Sequence, residues 1–146
     1  MCGRYYLEIS KENMSFVNNI DTFEYKTNYN ISPQSIVPAI INNELVNTIW
    51  GYFPGWLKEQ DNPRPLFNSR YESLLEKKTF TSAFRNSRCL IPLSGWYEWR
   101  TENKSRQPYF FYNKNNIQIL TAGLFWKRSN GDIETSIITR EAVPPL

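Results

Sequence analysis

A cysteine stands at position 2 of the chain, in the opening Met1-Cys2-Gly3-Arg4. Once an initiator methionine is cleaved, such a residue carries two nucleophiles on adjacent carbons, an α-amine and a thiol. Together they can condense with an aldehyde and close a thiazolidine ring, which an internal cysteine cannot do. An amino terminus titrates near ~8 and a free thiol near ~8.5, so both are partly reactive at neutral pH. The plainer alternative is a cysteine that merely follows the start codon. Glu98 is a second candidate, because a carboxylate between Tyr97 and Trp99 in a core-like strand suits proton transfer. Alternation alone leaves open an ordinary strand glutamate facing solvent. Asn68, Arg70 and Glu72 alternate, so an extended backbone would put them on one face. An amide, a guanidinium and a carboxylate suit a substrate bearing phosphates and hydroxyls, and would serve equally as a surface network.

Basic residues Arg4, Arg64, Arg70, Lys77, Lys78, Arg85 and Arg88 are interleaved with Trp50, Trp56, Phe67 and Phe84. Aromatic platforms beside cations hold single-stranded nucleic acid, and apolar side chains can wedge between bases at a lesion. Most tryptophans in a chain of 146 residues are core, so one of the five is expected to touch DNA. The balance of 17 basic and 14 acidic residues, a formal charge of +3, permits a nucleic-acid partner without demanding one. With zero histidines and no Cys-x-x-Cys pair, neither a structural zinc nor a two-histidine catalytic metal site is expected. No organic cofactor is implied. There is no signal peptide and no apolar run long enough to span a bilayer, so a reduced, cytoplasmic setting with free thiols is expected. Cys89 reads as core rather than nucleophile.

These groups need elements to hold them. A short strand over Cys2 to Ile9 would fix the reactive terminus in a sheet. Ser10 could cap a helix to about Ile20, with Met14, Phe16, Val17 and Ile20 on its apolar face. Pro33 and Pro38 break the segment before an extended run, Ser35 to Ile41, and Asn42-Asn43 suggests a hairpin into Leu45 to Tyr52. Gly51 to Trp56 sets aromatic groups on a Gly/Pro frame ahead of a long loop through Pro63 and Pro65. A short helix fits Glu72 to Glu76, with a further turn at Phe80 to Phe84. Arg88 to Pro92 reads as a strand partnered by Ser94 to Arg100, and Pro108 to Tyr112 pairs with Ile117 to Trp126 around Asn113 to Asn116. Glu134 to Thr139 is the last strand. Short strands with a few short helices predict an α+β fold, a mostly antiparallel sheet curled into a barrel-like core.

The ordered segments Cys2-Gly3-Arg4-Tyr5, Tyr29-Asn30-Ile31-Ser32-Pro33-Gln34, Trp50-Gly51-Tyr52-Phe53-Pro54, Phe67-Asn68-Ser69-Arg70-Tyr71-Glu72, Arg88-Cys89-Leu90-Ile91-Pro92, Gly95-Trp96-Tyr97-Glu98-Trp99, Ala122-Gly123-Leu124 and Ile138-Thr139-Arg140-Glu141-Ala142 span nearly the whole chain. Together they resemble the SOS-response-associated peptidase family, whose members process abasic sites. The resemblance implies one domain over 1–146, working as a monomer on single-stranded DNA that contains abasic sites. It implies a covalent thiazolidine link from Cys2, after Met1 removal, to the ring-opened aldehyde, shielding the lesion during repair. Asn68 would position the reacting groups and Glu98 would shuttle protons. Arg4 and Arg70 would meet phosphates, Trp50 or Phe53 with Pro54 would pack against bases, and Thr139 would contribute to the site. Removal of Met1 would be self-processing or ordinary aminopeptidase action.

The sequence also departs from the family pattern. A His-x-Arg-Met-Pro segment that usually follows the Thr-Arg-Glu-Ala region is not among these residues, and its histidine is expected to assist ring opening and reversal. The expectation is a C-terminally truncated domain in which cross-linking survives more slowly and reversal suffers more. The alternative is a non-catalytic single-stranded-DNA-binding remnant.

Overall fold

In the computed structural model, which describes residues 2–58 and 60–142, the chain is built on strands joined by tight turns. In order they are β1 (Arg4–Leu7), β2 (Asn28–Ile31), β3 (Ile36–Ile41), β4 (Glu44–Trp50), the short helix α1 (Gly55–Lys58), β5 (Asn68–Arg70), a 3-10 turn (Tyr71–Ser73), α2 (Lys78–Asn86), β6 (Arg88–Leu93), β7 (Gly95–Glu102), β8 (Ser105–Tyr112), β9 (Ile119–Lys127) and β10 (Ile133–Thr139). Two sheets result, one ordered β2-β1-β7-β8 and the other β4-β3-β6-β9-β10-β5. A further parallel pairing of β4 with β10 joins the ends of β4-β3-β6-β9-β10 into a closed ring, which removes its edges. The curled, mostly antiparallel α+β architecture expected from the sequence is the one observed.

The inner positions of both sheets meet in one core: Tyr5, Leu7, Ile31, Val37, Ala39, Trp50, Ile91, Leu93 and Ile137, each at most 2% exposed. β10 runs through the middle of it, and its buried Thr135 and Ser136 hydroxyls meet Thr48 and Ser69 at 3.3 and 2.7 Å. Those pairings leave the four buried hydroxyls satisfied, and they lock β10 between β4 and β5. Parallel register then places Ile137 beside Asn68 and Thr139 beside Arg70.

Four sequence expectations are corrected. Residues 10 to 20 form successive turns, not a helix: Val17 N donates to Met14 O at 3.0 Å and Ile20 N to Val17 O at 3.3 Å. Asn18 donates to Asn43 O at 2.8 Å, and the Asn19 amide bonds both Leu45 N and Leu45 O, which ties the segment to the β3–β4 hairpin. Asparagine and serine compete with helical backbone bonds in this way. Met14, Val17 and Ile20 still bury, against Ile40 and Leu45, but Phe16 is exposed. Second, β6 is not paired with β7. At Ser94 the chain leaves one sheet for the other, and Ser94 Oγ bridges Glu8 N and Glu8 O, each at 3.0 Å. Third, β8 does not pair with β9; it pairs with β7 across Asn103 and Lys104, whose φ of 46° and 65° give a two-residue hairpin turn. Fourth, the turn expected at Phe80 to Phe84 is the full helix α2, whose Phe80 and Ala83 pack against Leu74 and Leu124.

Candidate functional site

Cys2 lies just ahead of β1, a buried residue 8% exposed, with its Sγ 3.8 Å from Arg4 O. Its backbone carbonyl accepts a hydrogen bond from Asn68 Nδ2 at 2.8 Å. The amide of β5 thus grips the residue that carries the amine and the thiol. Strand alternation on β7 does the rest. Trp96 sits opposite buried Tyr5, so Trp96 and Glu98 face inward while Tyr97 and Trp99 face out.

Cys2, Glu98 and Thr139 line one cavity of about 190 Å³, walled by Leu93, Trp96, Thr121, Ile137, Ile138 and Arg140. A volume below the ~300 Å³ floor of drug-sized pockets suits a group no larger than a sugar. Burial, and then the charge of Glu98, push the Cys2 thiol up to about 12. A thiol held so firmly protonated needs a base at the moment it attacks. Three buried polar side-chain atoms have no hydrogen-bond partner among the described residues: Asn68 Oδ1 and Thr139 Oγ1 near the cavity, and the Tyr5 hydroxyl within the core. Leaving a buried acceptor or hydroxyl unpaired costs about 1–3 kcal/mol, so the two near the cavity have hydrogen-bonding capacity left to offer a group that enters it.

The other expected residues fall in different settings. Arg4 stands opposite Tyr97 and donates to Asn30 Oδ1 at 2.9 Å. Arg70 is exposed and pairs with Glu72 at 3.7 Å. Glu72 leaves the strand at the 3-10 turn, so the expected common face with Asn68 and Arg70 ends at Arg70. There Glu72 accepts from Glu141 N at 2.8 Å, which fixes the residues that follow Thr139, and this bond and Arg70 hold its carboxyl below the ordinary range.

Trp50 has no exposed surface. Its indole N–H donates to Phe67 O at 2.9 Å and its ring meets Tyr5 edge-on at 4.9 Å, so it is a wall that positions β5 and offers no face to a base. Phe53 and Pro54 are not brought to the Cys2 cavity. Pro54 lines a separate hollow of about 530 Å³ with Tyr52, Trp56, Lys78, Trp126 and Lys127. That loop is clamped: Phe53 N donates to Glu134 Oε2 at 3.1 Å, and Arg128 donates to both Phe53 O and Glu134. Arg140 and Trp96 belong to the cavity and were missed. Arg140 follows Thr139 directly, which was its one sequence signal. Among the described residues no Cys, Asp and Glu cluster could hold a metal ion, and no helix is long and apolar enough to cross a membrane. Met1 lies outside the described residues.

The family profile described as "SOS response associated peptidase (SRAP)" matches residues 1–146. The chain is 33% identical over 138 residues to abasic site processing protein YoaM of Bacillus subtilis, covering 88% of this chain and 61% of that protein. It is 29% identical over 136 residues to abasic site processing protein YedK of Escherichia coli, covering 85% of this chain and 59% of that one. The chain thus spans about three-fifths of the length of these relatives. Among solved structures, a phage-related protein of Bordetella bronchiseptica superposes with a TM-score of 0.73 at 21% identity, covering 95% of this chain and 69% of that one. A Bacteroides thetaiotaomicron protein gives 0.67 at 27% identity, covering 77% and 54%.

Proposed function

We propose, from the premise that this chain belongs to the SOS response associated peptidase (SRAP) family, that Cys2 captures abasic sites in single-stranded DNA as a covalent thiazolidine. Relatives named abasic site processing proteins support the substrate class. The observation that carries the reading is the cavity shared by Cys2, Glu98 and Thr139, with Asn68 bonded to the Cys2 carbonyl.

The reaction follows from the groups present. With Met1 removed, the Cys2 amine adds to the aldehyde carbon of the ring-opened sugar, and the resulting carbinolamine loses water to give an imine. The thiol then adds to the imine carbon: a C–S bond forms, the C=N π bond becomes an N–H, and the ring closes. The net change is one water lost. Glu98 moves protons, giving one to the departing hydroxyl and taking one from the thiol that burial keeps protonated. Asn68 Oδ1 and Thr139 Oγ1, buried without partners among the described residues, would bond the sugar hydroxyls. Arg140 in the cavity wall, with Arg4 and Arg70 outside it, would meet phosphates as charge-assisted donors.

The test is a time course with an oligonucleotide carrying one abasic site, read on denaturing gels. An adduct that survives denaturation and disappears in Cys2→Ala supports the reading. Only salt-sensitive, dissociable complexes would reduce the protein to a binding module.

A further inference from the structure

We infer that the outer face of the β2-β1-β7-β8 sheet is a stacking track for the unpaired bases of single-stranded DNA that flank the captured site; this extends the proposed function. The face carries rings in unbroken contact. Tyr29 stacks on Tyr6 at 4.9 Å and 8°, Tyr6 meets Phe110 at 6.3 Å, and Phe110 meets Tyr97 at 4.9 Å and Tyr112 at 5.4 Å. Tyr97 leads on to Trp99 at 6.5 Å. The row is held in place. Tyr97 donates across β1 to Tyr29 O at 3.0 Å, and Gly95 is required because a Cβ there would lie 2.5 Å from the Phe110 ring.

None of these rings belongs to the core clusters. Tyr29 is 65% exposed, Tyr112 60%, Phe110 42% and Trp99 38%. A contiguous exposed aromatic surface on a small protein marks a binding site. Its chemistry favours nucleic acid because cations border it: Arg4 opposite Tyr97, Lys104 in the hairpin turn, and Arg106 with its guanidinium 5.9 Å from the Trp99 ring. Every base has a π-face, so rings beside backbone-seeking cations bind single strands without regard to sequence. Glu8 is the carboxylate of the face; it accepts from the Tyr6 hydroxyl beside a hollow of about 490 Å³ that Phe110 and Tyr112 also line. It repels phosphate but can accept from a base amino group, so that end of the track takes a base edge. The cavity lies on the inner face and the track on the outer; Arg4, at the start of β1 two residues after Cys2, is where a strand leaving the cavity would pass onto the outer face.

The test compares wild type, Tyr29→Ala/Tyr112→Ala and Tyr29→Phe/Tyr112→Phe. Fluorescence anisotropy measures affinity for undamaged oligo-dT of 20 and of 5 nucleotides, light scattering measures self-association, and adduct formation is followed on a short abasic oligonucleotide. Both tyrosines are surface residues outside the Cys2 cavity, so all three proteins are expected to fold, and adduct formation by the wild type on the short oligonucleotide reports capture separately from the track. The alanine pair should lose roughly 10- to 100-fold in affinity for the longer strand and much less for the shorter, with the phenylalanine pair near wild type. Equal affinity in all three proteins overturns the track. So does a wild-type dimer that the alanine pair abolishes while DNA affinity stays unmoved, because the face would then be an interface between copies. Absence of adduct with the length-dependent loss intact would instead overturn the cross-linking reading and leave the track standing.

Discussion

Cys2 combines a buried thiol, an adjacent acid and a carbonyl tethered by Asn68, and each contact has a measurable consequence. A thiol pushed up to about 12 should alkylate slowly at neutral pH and faster as pH rises toward that value. Mass-resolved iodoacetamide labelling checks this, and rapid labelling of native Cys2 at pH 7 would contradict it. Glu98→Gln removes the proton carrier while keeping the shape, so the adduct rate should fall about 10²–10⁴-fold and recover partly at alkaline pH. Single-turnover time courses across pH would show it. Asn68→Ala is expected to slow capture as well, with a smaller loss of stability read from a thermal melt. Cys2, Asn68, Glu98 and Thr139 were nameable from sequence through ordered motifs. Their packing roles were less visible: nothing in Trp50-Gly51-Tyr52 says that Trp50 is sealed under Tyr5 while Tyr52 stacks on Trp126 at 3.9 Å. Burial of a given aromatic is decided by sheet pairing, which local sequence does not encode.

Strand positions fell close to the segments predicted, as β3, β6 and β10 illustrate, but their partners did not follow chain order. The β6–β7 and β8–β9 neighbours in sequence lie in different sheets, because Ser94 fastens the chain to β1 and the Asn103-Lys104 turn sets the real hairpin. That turn lacks the Asn-Gly signature that would have announced it. The segment 10–20 carried a helix-like apolar spacing, yet side chain–backbone bonds from asparagine took the backbone elsewhere. At this scale the Arg128–Glu134 clamp is the device to break. Glu134 is 9% exposed and bonds Phe53 N as well as Arg128. Glu134→Ala should destabilise the fold by roughly 2–4 kcal/mol, somewhat below the range for a fully buried pair, since Arg128 stays partly in contact with solvent. Urea denaturation measures this, and an unchanged midpoint would show that the clamp contributes nothing.

For the molecule as a whole, the closed β4-β3-β6-β9-β10 ring and the second sheet stacked on it bury Cys89 as well as Cys2. Both thiols are raised well above the ordinary thiol range, to about 12, with burial the largest cause in each. An unfolded thiol therefore gives up its proton at a pH where the folded one still holds it. Stability from these groups is complete below about pH 9 and falls as pH rises toward 12. Urea midpoints between pH 8 and 10 should decline, and less steeply in Cys89→Ala; parallel, flat profiles would contradict the assignment. The central claim concerns chemistry at the terminus, and intact mass tests it most directly. Protein lacking Met1, incubated with an oligonucleotide bearing one abasic site, should gain the oligonucleotide mass minus one water, and Cys2→Ala should gain nothing. A Met-less wild-type protein whose mass does not change, or a Cys2→Ala variant that still forms the adduct, would contradict it.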